Sequence, residues 1–457
     1  MSLSSRTRGV ADAQTAAPLL ERGRRALRTA ALYLFFFNAL LDRLAVYYWG
    51  MAVFTNLFYI VLSIGVALEL THMARSGTAK PQAFIAAVFL VLALVGGFIY
   101  GDTLASVYAI KQFFLGVVLL LLFANSRTPL PPALITCLLG VQLYAVFQGV
   151  YVWTHGLSLP PWDMAYIRSQ LESWHARNLY QGDLIRPFAT FGSFSEYQIV
   201  VHVLTVALFL LRWRLSDRER RLTWLLVAAM LVVDVLLPDR TPILMVVIVL
   251  GTTWIGENLF RALRSRPERV LVVPALAVLL VVAFAAIPPL LLGSDNEAMR
   301  RLGEGFRFWE AETVKERSAT VWDQARVAIR THPEGMGPAA VVTALYPDAF
   351  VPHSNYFLFA IAYSIAFPAV FLLFLCVAFR GVFGAITSRD IRRVRVGFCG
   401  WGVTLAFLGS SFFNAPFSGY AGGAYFLVML WFQTLLDEAG AAATLRISAP
   451  ARPVISH

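Results

Sequence analysis

Long apolar runs alternate with short charged segments along most of the chain. The runs fall at roughly 30–50, 54–73, 82–101, 110–125, 132–153, 194–211, 222–237, 241–258, 270–292, 354–379, 396–413 and 422–438. Most approach the ~20 residues a helix needs to cross the hydrocarbon core, and a chain in lipid must satisfy its own backbone hydrogen bonds. The pattern therefore predicts an all-α polytopic membrane protein of about twelve transmembrane helices. Residues 1–28 are polar and carry Arg6, Arg8, Arg22, Arg24, Arg25 and Arg28 without a small-residue cleavage site before the first run. They read as a cytoplasmic tail rather than a signal peptide. A transmembrane domain over 29–438 and a second cytoplasmic tail over 439–457 complete the division.

Two connections are long, 154–193 and 293–353, and loops of that length usually carry function. In the second, Phe308, Val314, Val321, Trp322, Ala325 and Ile329 recur among Arg317, Asp323, Arg326 and Arg330. That spacing suits an amphipathic helix lying on the membrane. In the first, Ile167, Leu171 and Trp174 stand at i, i+4 and i+7. Both connections are placed to roof a cavity, although solvated connectors with chance periodicity would look the same.

Composition agrees with the pattern. The 457 residues are 58% hydrophobic and 14% charged, against about 25% charged in soluble proteins, so a soluble enzyme is excluded. The net charge of +11 invites a nucleic-acid reading, but the basic residues sit in short clusters between apolar runs. The tails and the connections expected inside hold 25 of the 38 lysines and arginines, the outer segments and their span ends hold 12, and Arg43 lies in the first run. That bias places both termini in the cytoplasm. Cys137, Cys376 and Cys399 offer neither a disulfide framework nor metal-ligand spacing.

Three outer stretches join arginine or histidine to small and polar residues where the chain enters a span. They are RPFATFGSFSEYQ at 186–198, PDRT at 238–241, and the pair HPEGMG at 332–337 with HSNY at 353–356. Arginine there opposes the orientation signal and suggests an anionic ligand, because a guanidinium grips phosphate oxygens through paired hydrogen bonds. Arg186 and Arg240 are the candidates, with interfacial anchoring or pairing to Asp183 and Asp239 as the plainer reading. His353 has the chemistry to take a proton from a sugar hydroxyl, and Glu196, at a helix start, competes for that task. Ser354 and Asn355 read equally well as helix caps. Gly335 and Gly337 read as a tight turn allowing close backbone approach. Within the spans, Asp42, Arg43, Glu69, His72, Gln142, Gln148, His202 and Asp234 are polar, with Asp42 and Arg43 expected in an interhelical pair.

Taken in order, RPFATFGSFSEYQ, PDRTPIL at 238–244, WDQARVAIRTHPEGMG at 322–337 and HSNYF at 353–357 resemble the superfamily of O-antigen ligases and O-antigen or exopolysaccharide polymerases. The hydropathy layout is similar over about the whole chain. Two departures stand out: Phe194-Ser195-Glu196 replaces a Pro-Asn pair common in the family, and the asparagine of the histidine motif is displaced by one. The resemblance implies a GT-C-like glycosyltransferase of the bacterial inner membrane with its active site on the periplasmic side. Its donor would be an undecaprenyl-diphosphate-linked oligosaccharide, with no cofactor, metal or nucleic acid. It also implies a chain-length regulator and a flippase as partners. Carried over, Arg186 and Arg240 contact the diphosphate, Arg317 is a further candidate from the long loop, and His353 lies nearest the reacting hydroxyl.

A polymerase extending a lipid-linked repeat unit is the leading expectation. A ligase transferring the finished glycan to lipid A-core is the alternative within the same chemistry. A lipid-linked oligosaccharide flippase is the alternative of another class, and it would need charges along a central cavity and two matching halves.

Overall fold

The structure, a computed structural model, describes residues 4–77, 79–100, 102–126, 130–156, 158–169, 180–181, 184–185, 188–191, 194–236, 240–265, 293, 317–342, 354–411 and 415–448. Its helices are α1 (Ser4–Trp49), α2 (Phe54–Ser76), α3 (Pro81–Phe98), α4 (Thr103–Phe113), α5 (Leu115–Ala124), α6 (Leu130–His155), α7 (Pro161–Ser169) and α8 (Phe194–Leu210). They continue with α9 (Asp217–Leu236), α10 (Arg240–Ser265), α11 (Asp323–Thr331), α12 (Asn355–Ala362), α13 (Phe367–Ala378), α14 (Arg380–Gly384), α15 (Ile391–Ser410) and α16 (Gly419–Ser448). Among the described residues the one extended pairing is two residues long and antiparallel, with Tyr180 opposite Ile185 and Gln181 opposite Leu184.

Among the described residues six helices are long and apolar enough to cross a membrane: α2, α3, α6 and the apolar parts of α1, α10 and α16. The runs at 110–125 and 354–379 fold instead as bent pairs, α4 with α5 at 71° and α12 with α13 at 115°. Counting each pair as one span gives up to eight among the described residues, fewer than the twelve expected. The chain is thus an all-helical, multi-pass membrane protein. Three further runs are helical in α8, α9 and α15. However, α8 is short at 17 residues, α9 opens on Asp217, Arg218, Glu219, Arg220 and Arg221, and α15 carries Arg392, Arg393 and Arg395 in its first turns. The run at 270–292 lies outside the described residues.

Helix α1 runs without interruption through the expected boundary at residue 28. Arg24 and Arg28 are only 4% and 3% exposed, because both reach the Glu69 carboxylate of α2 at 2.7 and 2.5 Å. One buried acid thus holds two arginines where α1 and α2 lie side by side.

The two bends meet. Phe114, at the α4–α5 break, packs within 5.5 Å of the Phe359 ring, 5.9 Å of Tyr363 and 6.1 Å of Phe367, the residues flanking the α12–α13 break. Aromatic rings fill the space that straight helices would have occupied. Backbone groups freed at a break need partners in lipid. At the second break the HPEGMG stretch supplies them: Met336 N donates to the Ile361 carbonyl at 2.7 Å, and Ile365 N donates to Pro333 at 2.9 Å. Gly335 and Gly337 adopt φ of +99° and +88°, and a Cβ on Gly335 would come within 2.6 Å of the Tyr363 backbone. The close approach expected of these glycines is therefore made, by Gly335 to the bent span and by Gly337 to Tyr100.

Elsewhere, small residues let helices touch, the usual device where lipid provides no hydrophobic drive to association. A Cβ on Gly116 of α5 would lie 2.6 Å from the Gly422 carbonyl oxygen of α16. Helices α10 and α15 pack antiparallel, with Val249 against Gly402, Gly256 against Phe398, and Arg395 donating to both Glu257 oxygens at 2.7 and 2.6 Å.

Helix α11 is amphipathic as its spacing predicts. Ala325 is buried and Ala328 and Ile329 pack on the core, while Asp323 and Arg326 pair on the exposed face at 2.7 Å. In the first long connection Ile167 is buried in α7, whereas Leu171 and Trp174 lie outside the described residues.

Candidate functional site

Of the five residues singled out by sequence, Arg186 and His353 lie outside the described residues, and of Arg240 and Arg317 the structure describes the helical backbone. Glu196 is described in full. It occupies the first turn of α8, with its Oε1 3.4 Å from the Tyr420 amide at the start of α16.

Hydrogen bonds and packing register bring five helix ends together. Next to Glu196 and Tyr420, Ser418 accepts from Asn355 Nδ2 at 3.1 Å, so the starts of α8, α12 and α16 adjoin. Asn355 Oδ1 accepts from Phe417 N at 3.0 Å, and Ser354 Oγ donates to the Ser411 carbonyl at 2.8 Å at the end of α15. Following the antiparallel register from Val249 and Gly402 back by about two and a half turns sets Arg240, the first residue of α10, beside that same end of α15. The π-helical turn Arg317–Trp322 leads into α11, and the Trp322 ring lies 6.4 Å from Phe357 of α12.

Ser354 stands at the N-cap of α12, but its hydroxyl is spent on Ser411 rather than on a helix amide. Asn355, likewise expected as a cap, is the tie between α12 and the 411–418 segment.

The middle of the RPFATFGSFSEYQ stretch is a buried turn. Phe188, Ala189, Thr190 and Phe191 are all at most 1% exposed. Ala189 adopts φ of 49°, a left-handed conformation costing roughly 1–2 kcal/mol in a non-glycine residue. Two side chains hold it: Gln148 Oε1 accepts from its amide at 2.8 Å, and Arg43 Nη2 donates to its carbonyl at 2.5 Å. Arg43 is itself completely buried, 3.3 Å from Asp163 of α7, with the Phe188 ring 4.4 Å beneath its guanidinium. The interhelical pair expected at Asp42 and Arg43 thus forms through Arg43, with Asp163 of α7 as its partner. Asp42 instead accepts the first amides of α2, from Val53, Phe54 and Thr55, at 2.6–2.8 Å.

A polar cluster lies under the adjoining helix starts. Tyr420 Oη donates to Asn38 Oδ1 at 2.7 Å, and Thr55 reaches the same oxygen at 3.3 Å. Glu196 is near enough for its charge to act on the Tyr59 and Tyr420 hydroxyls. Lys111, three residues before the Phe114 break, points its ammonium at the Tyr59 ring, 4.2 Å from the centroid, and at Tyr108, 5.2 Å away. Among the described residues no carboxylate or carbonyl holds it. Sequence reasoning missed Lys111 as a site residue, although a lone lysine inside an apolar run was the signal.

Three other polar residues of the spans find partners inside the bundle. Gln142 accepts from Tyr197 at 3.0 Å, Gln148 donates to Asp163 at 2.8 Å, and His202 Nδ1 donates to the Gln198 carbonyl at 2.6 Å. The candidate site is the end of the bundle where α8, α10, α12 and α16 begin, with the Lys111 ammonium and the Glu196 carboxylate facing it. Compared with known proteins, the chain matches no family model and no curated relative.

Proposed function

We propose that the protein is a polysaccharide polymerase. It would transfer a glycan from undecaprenyl diphosphate to a lipid-linked repeat unit at the periplasmic face of the bacterial inner membrane, within a GT-C-like fold of about twelve spans and with both termini cytoplasmic. The observation that carries this reading is the meeting of the helix starts at Glu196, Arg240 and Asn355, three positions far apart in sequence, at one end of the bundle.

The chemistry suits that inventory. Breaking the anomeric bond to a diphosphate leaves negative charge on the departing oxygens, which Arg186, Arg240 and Arg317 stabilise; preorganised cations of this kind each supply a few kcal/mol. His353, or Glu196 in its place, accepts the proton of the attacking hydroxyl, worth about 10²–10⁴ in rate. In-line attack inverts the anomeric centre. Lys111 adds a fourth positive charge facing the same region.

The test supplies purified protein with lipid-linked repeat units, with and without lipid A-core. Chain growth without lipid A-core is expected, and it should disappear in Arg186→Ala, Arg240→Ala and His353→Ala proteins that still insert normally. Transfer only onto lipid A-core would make the enzyme a ligase. Full activity in all three variants would refute the mechanism, and lipid movement across vesicles without transfer would make the protein a flippase.

A further inference from the structure

At the other end of α10 and α15, away from the helix starts, Trp213, Arg214, Glu257, Arg261, Arg392 and Arg395 line a cavity of about 320 Å³. That is room for about ten waters. Four arginines face one carboxylate, leaving three positive charges in excess. Glu257 is engaged already: Arg395 binds both its oxygens, at 2.7 and 2.6 Å, and Arg261 binds one from the next turn of its own helix. Arg214 and Arg392 lie against the Trp213 ring, 4.9 and 5.6 Å from its centroid, and both are exposed. The Trp213 Nε1–H is buried and has no hydrogen-bond partner among the described residues.

Like charges gathered around a concavity repel one another unless an anion sits between them. The donors here suit phosphate oxygens: planar guanidinium forks that stay charged at any relevant pH, and one unused indole N–H. The location suits a lipid source. The cavity lies where α10 finishes its apolar stretch and α15 begins its own, the level at which tryptophan and arginine meet phospholipid headgroups. We propose that this cavity binds a phosphate group, delivered in the membrane by the headgroup of an anionic phospholipid.

To test this, the full-length protein is stripped of lipid in a neutral detergent and titrated with phosphatidylglycerol, phosphatidylcholine or inorganic phosphate. Adducts are counted by native mass spectrometry. Phosphatidylglycerol is expected to bind, and Arg214→Gln combined with Arg392→Gln to weaken it about 25-fold, at about fivefold per arginine. Arg218→Gln with Arg221→Gln, an equal charge change on exposed residues outside the cavity, should leave binding within about twofold. Equal binding of phosphatidylcholine, an unaltered affinity in the first pair, or an equal loss in the second would overturn the site. Should the first pair fail to fold, displacement of phosphatidylglycerol by inorganic phosphate in the parent protein supports it, and failure of displacement counts against it. Inorganic phosphate binding more tightly than the lipid would retain the cavity as a phosphate site and overturn the lipid source.

Discussion

Replacing Arg43 by methionine removes the one cation that, among the described residues, pairs with Asp163. Both residues are fully buried, 3.3 Å apart, and at an effective dielectric of 20 that separation corresponds to about 5 kcal/mol of gross attraction. Breaking a buried pair from one side costs about 3–5 kcal/mol, because the remaining charge has lost its counter-ion. At about 2.1 cal/mol/K of unfolding entropy per residue, this chain loses about 1 °C of Tm per kcal/mol, so the variant should melt about 3–5 °C lower in detergent.

The loss depends on pH, and its sign follows from Asp163. Burial pushes that carboxyl up, while Arg43, Gln148 and Tyr144 pull it back. A carboxyl raised in the folded state favours folding below its ordinary range and ceases to do so as pH rises through the folded value. Without Arg43 the folded value rises further, so the deficit should be smaller at pH 5, where Asp163 can take a proton, than at pH 8. The double variant Arg43→Met with Asp163→Leu should cost less than the two single losses added together. Scanning fluorimetry of the four proteins at both pH values measures this. Additive losses, or a deficit independent of pH, would refute the coupling.

Glu69→Gln should lower stability by about 3 kcal/mol, because Arg24 and Arg28 lose their buried counter-ion and keep only the half-exposed Glu21; melting in detergent reads it. Asp42→Ala, which strips three amides of α2 of their acceptor, should cost about 2 kcal/mol by the same assay. Ala189→Val places a β-branched residue at positive φ in a fully buried turn and should cost more than about 2 kcal/mol, whereas Ala189→Gly stays within about 1 kcal/mol of the parent. Lys111→Met should fold at least as well as the parent, since an ammonium in a span is costly, yet lower glycan transfer by at least about tenfold; undiminished transfer would remove Lys111 from the site.

The apolar runs by themselves determined that this is a helical membrane protein, because lipid admits no other use of a long apolar stretch that lacks the alternation of a barrel strand. The spacing of α11 and the close approach of Gly335 and Gly337 were legible for the same kind of reason, since each depends on residues near one another in the chain. The polar stretches opening α8, α10 and α12 could also be seen, as interruptions of apolar sequence. Their meeting at one end could not, because it depends on Asn355 bonding to Ser418 and Glu196 to the Tyr420 amide, partners 63 and 224 residues away.

Only the tertiary structure decided where spans break. Gly116 stands two residues past the Phe114 break, but a glycine in an apolar run does not by itself say that the helix bends there; the Phe114 ring is received at Phe359, Tyr363 and Phe367. A hydropathy window counts apolar residues but not the direction of the helix they form, so it shows neither the 71° nor the 115° bend within a run. The choice of polar partners was equally hidden: Arg43 turns from its neighbour Asp42 to Asp163, 120 residues on, and Arg24 and Arg28 converge on Glu69. Low-dielectric surroundings demand that each buried charge be matched, and packing of the helices selects which residue provides the match.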